Sequence, residues 1–431
     1  MMTLLNAGLV ETTTDWILTS LADVDFYKLT MMQLYFLKHR TVRGKYGFKN
    51  RTVRVPLGQK LDIDELRRQL EHGRGLGFTD REIDELATVS RQRGGLFRQD
   101  FLEFLRTVRL SPITVELSAD GTQLVIETEE APLVEAMLWE TLVMNVVNRM
   151  YFLDKMREEG KTEEDAWAEG DRRLTAKITK LKDALARGIR VPFIDFGTRR
   201  RWSLGWQEHV LRRLMAEVPE LLMGTSNALL AMTLGIPAVG TMAHECDMAY
   251  QGIYRAEDDA AGRLVSHEIL LDDWTEIYGD TLSVALSDTY GSEYFFRTFG
   301  ADRAAYWKGL RQDSGDVYGW GTRFLEFYRS FGIDPKTKSG VFSDGLDVEK
   351  MITLTKRFGE LMNILFGWGT DLMNDMGFDP ISIVVKLIRC AGHWLVKLSD
   401  NLTKATGPAD AVERITALAR YTNTASEECR V

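Results

Sequence analysis

The chain has 431 residues, 45% hydrophobic and 27% charged, which suits a globular protein of two domains or one large domain with an appendage. A formal net charge of −9 excludes a general nucleic-acid binder, which needs a basic field. No run of 18 apolar residues predicts a membrane-spanning helix, and the opening MMTLLNAGLVETTTDW lacks the basic and apolar regions of a secretion signal.

In chain order, KYGFKNRTVRV predicts a strand, and helical patterns follow around 61–72, 79–92 and 97–107. ITVELSADGTQLVIETEE predicts a hairpin, with Asp120-Gly121 supplying the positive φ angles of a tight turn. From 132 to 187 the pattern is helical. It breaks at Gly160, and Thr162-Glu163-Glu164 opens a new helix. After 188 the character changes. VPFIDF, LLMGTS, IPAVGTMAH, LSVALSD, WKGLRQD, SGVFSD and NILFGWG form a series of strand–loop–helix units. About seven such units predict a parallel sheet, and that number favours a closed α/β barrel over an open sheet. The tail from ISIVVKLIRCAGHWLVKLSD onward predicts two strands and a helix that return to the N-terminal domain. The expected division is 1–150, with linking helices to about 187, then 188–380, then a C-terminal segment 381–431.

Cys246, Cys390 and Cys429 form no CxxC pair, which supports neither a zinc site nor a disulfide framework and fits a cytoplasmic protein. Cys246 reads as a buried bystander thiol. The informative polar residues are Asp195, Ser226, His244, Asp288, Arg311, Asp313 and Asp344. With Gly367 and Gly369, they fall at or just after the C-terminal ends of predicted strands. That rim is where an α/β barrel builds its active site. Asp and Ser also cap helices, so each such residue taken alone has a second reading. DFGTRRRWS puts Arg199, Arg200 and Arg201 at a helix start, where arginines oppose the dipole unless an anion sits there too. The glycines of GWGTDLMND allow backbone N–H groups to approach a phosphate. RQDSGD and FSDGLD place carboxylates that suit a ribose diol or a divalent cation, with Asp316 also suited to capping. His244 and Glu245 stand in GTMAHE, a tight small-residue setting for one of only six histidines. Tyr27 begins an amphipathic pattern and reads by default as core.

Taken in order, DVDFYKLTMMQ, DFGTRRR, GTSNALLA, GTMAHE, RQDSGD, VFSDGLD and FGWGT resemble the motifs of the nicotinate phosphoribosyltransferase family, over most of the chain. The resemblance implies an irregular seven-stranded α/β barrel with an α/β sandwich domain built from both chain ends. It also implies a homodimer with sites near the interface. The implied activity forms nicotinate mononucleotide and pyrophosphate from nicotinate and phosphoribosyl pyrophosphate. It is coupled to ATP hydrolysis through a phosphohistidine, with Mg2+ as cofactor. Carried over by position, the phosphohistidine falls on His244, with Glu245 and Asp313 as further catalytic candidates. Nicotinate would meet Tyr27, reaching from a neighbouring subunit, and Thr241, Arg311, Ser226 and Arg199. Phosphoribosyl pyrophosphate would meet Asp344, Gly367, Gly369 and Thr370. Asp288, Asp313 and Asp344 are the candidates for Mg2+.

Three rivals fit less well. A site selective for nicotinamide would want an acceptor such as Asp where Ser226 stands, and Ser226-Asn227 is neutral, so a carboxylate substrate is expected. A quinolinate-type phosphoribosyltransferase needs no reactive histidine. A catalytically idle nucleotide-binding barrel would be expected to lose His244, Arg311 or Asp313, and all three are present.

Overall fold

In a computed structural model the chain is described over residues 15–423. Cys429 and the opening segment through Thr14 lie outside the described residues. No described helix is long and apolar enough to cross a membrane.

Two sheets organise the fold. The first is antiparallel and takes strands from both chain regions flanking the second. It contains β1 (Arg43–Asn50), β2 (Ile113–Leu117), β3 (Leu124–Thr128), β4 (Ala131–Pro132), β11 (Ile383–Cys390) and β12 (His393–Trp394). Their order is β12-β11-β1-β3-β2, with β4 also on β1. The β1–β11 ladder runs from Gly44↔Cys390 to Asn50↔Ile383 and brings the two ends of the chain together. Leu124–Thr128 alternates buried and less buried positions, as a strand packed on one face should. The β2–β3 turn is longer than expected. Only Gly121 has a positive φ, of 70°, while Asp120 Oδ1 closes the loop by accepting from Ser118 Oγ, Thr122 N and Thr122 Oγ1.

The second sheet is parallel. Its strands are β5 (Phe193–Asp195), β6 (Leu222–Thr225), β7 (Val284–Leu286), β8 (Gly309–Gln312), β9 (Ser339–Phe342) and β10 (Asn363–Trp368). They lie in the order β6-β5-β10-β9-β8-β7. Phe193, Ile194, Val341, Phe342, Phe366 and Trp368 are buried, as expected of strands covered on both faces.

Among the described residues this sheet has six strands, not the expected seven in a closed ring. IPAVGTMAH contributes a single parallel bridge, Thr225↔Ala238. Pro237 has no N–H to give a ladder, and Gly240 packs so tightly on the helix Phe26–Lys38 that a Cβ there would lie 3.0 Å from Tyr27 N. Thr241 Oγ1 then donates to Val284 O at 3.1 Å, a side-chain bond where a strand pair was expected.

The predicted helices fall close to their places, at Ile63–Gly75, Asp80–Gln92 and Gln99–Leu105. Thr79 and Glu82 form a reciprocal cap on the second of these. Gly160 ends the helix Trp139–Glu159 at φ 62°, and Thr162 caps Glu163–Ala186 through Asp165. The arginine run behaves differently from its expectation. It forms a single 3-10 turn, Thr198–Arg200, and the next helix, Leu204–Glu217, begins only after Ser203.

Candidate active site

The C-terminal ends of the parallel strands and one face of β11 enclose a cavity of about 410 Å³. Of the expected residues, Tyr27, Arg199, Ser226, His244, Glu245, Arg311, Asp313, Asp344, Gly367, Gly369 and Thr370 line it. Strand ends supply most of them, because side chains beyond a parallel sheet's C-terminal edge project into the space that the loops surround.

Two expected residues do not line the cavity. Thr241 commits its hydroxyl to Val284 O, and its own carbonyl accepts from Thr30 Oγ1 at 2.7 Å. Asp288 is fully buried behind the wall, where it accepts from Ser314 Oγ, and its Oδ1 has no hydrogen-bond partner. Burial pushes the Asp288 carboxyl up to about 7. Asp195, also on the predicted rim, is structural: it accepts from Gly197 N, Gln207 Nε2 and Thr225 Oγ1, each at 2.7 Å. The arginine run splits. Arg199 and Arg200 line the cavity, while Arg201 is buried against Asp23 and Gln207. Cys246 is fully buried, 3.8 Å from the Tyr35 hydroxyl, in keeping with a bystander.

His244 is the first residue of the helix His244–Ile253. Its Nε2 lies 2.9 Å from Lys397 Nζ and 3.1 Å from Asp313 Oδ2, and its Nδ1 lies 3.0 Å from Thr289 Oγ1. A protonated ring would suit Asp313, and a neutral ring suits the Lys397 ammonium. Burial, reinforced by Lys397, holds the imidazole well below its usual range, so the ring is neutral. Burial opposes the charge on Asp313, but its contact with His244 and the Arg311 charge outweigh that and hold the carboxyl well below the usual range. Ser343 Oγ donates to Asp313 Oδ1 at 2.9 Å.

Around the first strand of the parallel sheet, Ser226 Oγ donates to Asp25 Oδ1 at 2.7 Å. Arg199 Nε lies 3.2 Å from Asp25 Oδ2, and its Nη1 is 3.1 Å from Glu140 Oε1. The Arg199 guanidinium also lies over the Tyr27 ring, 5.6 Å from its centroid. Tyr27 thus lines the cavity of its own chain. The reason is the helix Phe26–Lys38, whose start is pinned by Phe26 N donating to Ser226 O at 2.5 Å. Beneath it, buried Lys28 is held between Glu140 at 2.6 Å and Glu245 at 2.5 Å, so Glu245 is engaged in an ion pair.

On the far wall, Gly367 is glycine for packing: a Cβ would lie 2.2 Å from the Phe196 ring. Gly369 and Thr370 begin the short helix Thr370–Met373. Arg311 Nε is a buried donor with no hydrogen-bond partner.

The sequence reading missed Asp25, Arg51, Glu140, Phe196, Lys350, Lys386, Lys397 and Lys404, which also line the cavity. Lys404 Nζ lies 2.5 Å from Asp344 Oδ1 and donates to Asp313 O at 3.1 Å. Burial, then the nearby charges of Lys397 and Arg51, push Lys386 down to about 7. A lone lysine in the apolar run ISIVVKLIRC was the available signal.

A buried, neutral histidine facing a cavity rich in arginine and lysine defines an α/β protein suited to polyanionic, phosphate-bearing molecules. Comparison with known proteins narrows this class. The nicotinate phosphoribosyltransferase (NAPRTase) family model matches residues 191–424, and the model of that family's N-terminal domain matches 22–148. A nicotinate phosphoribosyltransferase of Acinetobacter baumannii is 37% identical over 391 residues, 89% of this chain and 92% of that protein. One from Chromobacterium violaceum is 38% identical over 397 residues, with the same two shares. The crystal structure of nicotinate phosphoribosyltransferase from Porphyromonas gingivalis superposes with a TM-score of 0.82 at 27% identity, covering 94% of this chain and 100% of that one. The chain belongs to the nicotinate phosphoribosyltransferase family.

Proposed function

We propose that the protein is a nicotinate phosphoribosyltransferase. It forms nicotinate mononucleotide and pyrophosphate from nicotinate and phosphoribosyl pyrophosphate, a step in NAD biosynthesis. We further propose that ATP hydrolysis drives the step through phosphorylation of His244, which makes the enzyme a ligase in class. The observation that carries the reading is the meeting of His244 Nε2 and Asp313 with eight cationic side chains around one cavity.

Displacing pyrophosphate from C1 of the ribose leaves positive charge on the sugar and negative charge on the leaving group. Arg51, Arg200, Lys386, Lys397 and Lys404 suit the leaving group, and the backbone around Gly369 and Thr370 suits the 5-phosphate. Arg311 suits the nicotinate carboxylate, because its Nε has a free donor. Tyr27 and Phe196 offer flat faces for the pyridine ring. Ser226 and Thr241 are assigned supporting roles, since their hydroxyls serve Asp25 and Val284 O.

Among the described residues no cluster of three or more metal-binding side chains occurs. Mg2+ commonly binds through one or two carboxylates together with substrate phosphates, and Asp313 and Asp344 on the cavity wall fit that pattern. When bound it would neutralise diphosphate charge. Asp288 would serve from behind as a buried acid.

The division into 1–150, 188–380 and 381–431, closure of the parallel strands into an irregular barrel, a cytoplasmic location and a homodimer complete the proposal. Light scattering tests the dimer, and one chain carries Tyr27, His244 and Arg311 in one cavity.

One observation favours a second reading, transfer to nicotinamide. The acceptor that the neutral Ser226 lacks is supplied next to it by Asp25. The deciding assay offers each base with phosphoribosyl pyrophosphate and Mg2+, with and without ATP. Nicotinate mononucleotide formed faster with ATP supports the main reading. Product from nicotinamide alone would replace it.

A further inference from the structure

Behind His244, away from the cavity, a chain of buried polar groups runs inward. Thr289 Oγ1 lies 3.0 Å from His244 Nδ1 and donates to Asp247 Oδ2 at 2.8 Å. Asp247 Oδ1 lies 2.6 Å from His267 Nδ1. His244, Thr289, Asp247 and His267 are all buried. Asp247 is fixed further by its carbonyl, which accepts from the Tyr290 hydroxyl at 3.0 Å.

An ionised carboxylate only accepts hydrogen bonds, and a threonine hydroxyl has a single hydrogen. Asp247 therefore takes the Thr289 hydrogen, and Thr289 can only accept from His244. That requires the hydrogen of the neutral His244 ring on Nδ1, which leaves the lone pair on Nε2. On the other side of the ring, Nε2 meets both a donor, Lys397 Nζ at 2.9 Å, and an acceptor, Asp313 Oδ2 at 3.1 Å. The Thr289 side decides between them, and a lone pair on Nε2 suits the closer Lys397.

We propose that Thr289 and Asp247 are positioning residues that lock His244 in its Nδ1–H tautomer, so that Nε2 faces the cavity as the phosphoryl acceptor, with His267 bracing Asp247. The role in phosphoryl transfer rests on the phosphohistidine reading above. In that step the Nε2 lone pair forms a bond to the terminal phosphorus of ATP. The bond from that phosphorus to the bridging oxygen breaks, and ADP leaves with the electron pair. Nδ1 keeps its hydrogen throughout, so the ring becomes cationic without a proton moving. Asp247, reached through Thr289, lies where it offsets that charge. Water or another acceptor later removes the phosphoryl group and restores the neutral ring.

The test uses the full chain with 15N-labelled histidine. Six histidines keep the ring spectrum assignable, with His244→Ala identifying the signal. Wild type and Thr289→Ser should show the hydrogen on Nδ1 of His244. Thr289→Val should show it moved, at least in part, to Nε2. In parallel, acid-labile phosphate is followed after mixing with ATP. Its formation should fall at least about tenfold in Thr289→Val and recover in Thr289→Ser, the scale typical of losing a group that orients a reactive one. Asp247→Asn frees the Thr289 hydrogen to turn toward Nδ1 and should shift the tautomer in the same direction. It serves as the second variant if Thr289→Val does not fold.

Hydrogen on Nε2 in wild type, or an unchanged tautomer in both variants, overturns the lock. Unchanged phosphorylation in a variant whose tautomer has moved overturns its role in the step. Absence of phosphoenzyme from wild type removes the phosphohistidine reading and the role that rests on it, while the tautomer result still decides the lock.

Discussion

Ser226 gives its hydroxyl hydrogen to Asp25 Oδ1 at 2.7 Å, and Arg199 Nε holds the other Asp25 oxygen at 3.2 Å. The hydroxyl expected at the substrate carboxylate instead serves a buried acid. Burial pushes the Asp25 carboxyl up, and Arg199 and Ser226 oppose that rise. Ser226→Ala should therefore leave the KM for nicotinate within about threefold, while the loss of a bond to a buried carboxylate costs about 1–3 kcal/mol of stability. Steady-state kinetics and urea unfolding read the two effects separately. A tenfold rise in KM with stability intact would mean that Ser226 turns to the substrate.

Removing the proposed phosphoryl acceptor should uncouple the enzyme. His244→Ala should form no acid-labile phosphate from ATP and should lose stimulation by ATP. Slow transfer without ATP should persist, because Arg311, Lys386 and Lys404 lie on other elements. Base-stable, acid-labile phosphate recovered from the mutant would place the acceptor elsewhere.

Much of this site was legible because parallel strands end in a constrained place. His244, Arg311, Asp313 and Asp344 follow apolar runs, and the run itself says where the side chain emerges. The cations from β11 and beyond were harder to read. Lys386 lies in an antiparallel strand buried on both sides, so no alternation shows which face it takes. Lys397 and Lys404 follow a strand of only two residues. Asp25 and Ser226 meet across 201 residues of sequence, and no local pattern carries such a pairing. The missing seventh strand is the converse case: IPAVG has the composition of a strand, but Pro237 and the close approach of Tyr27 to Gly240 prevent a ladder.

Lys386 gives the protein a defined pH response. In an unfolded chain a lysine keeps its proton to about pH 10, whereas here burial and neighbouring cations push it down to about 7. Between those values the unfolded state binds more protons, so this group makes stability rise with pH through that window. A polyphosphate beside Lys386 should favour its charged form. Pyrophosphate binding near pH 8 should therefore take up about one more proton in wild type than in Lys386→Met. Calorimetry in two buffers of different ionisation enthalpy measures the difference. Equal uptake would mean that the phosphates do not reach Lys386.

Gly367→Ala tests the packing reading of that glycine. Its Cβ would fall 2.2 Å from the Phe196 ring, so the ring or strand must shift. Overpacking of this kind costs about 1–3 kcal/mol. Thermal unfolding should show the loss, and displacement of Phe196 should raise the KM for the pyridine base more than that for phosphoribosyl pyrophosphate. An unchanged melting temperature would show that Phe196 yields freely.

The ladder between β1 and β11 also governs how the protein is made. Thr52 Oγ1, just past the end of β1, accepts from Ser382 N across 330 residues of sequence. At ribosomal speeds of ~5–20 residues per second, roughly 15–70 s separate the emergence of one strand from that of its partner. During that interval β1 presents an unpaired edge, and unpaired edges invite aggregation. The interval closes only when β11 emerges, and β11 also delivers Lys386 to the cavity wall. The same late event thus protects the nascent chain and equips the enzyme, so a product released early should be both insoluble and inactive.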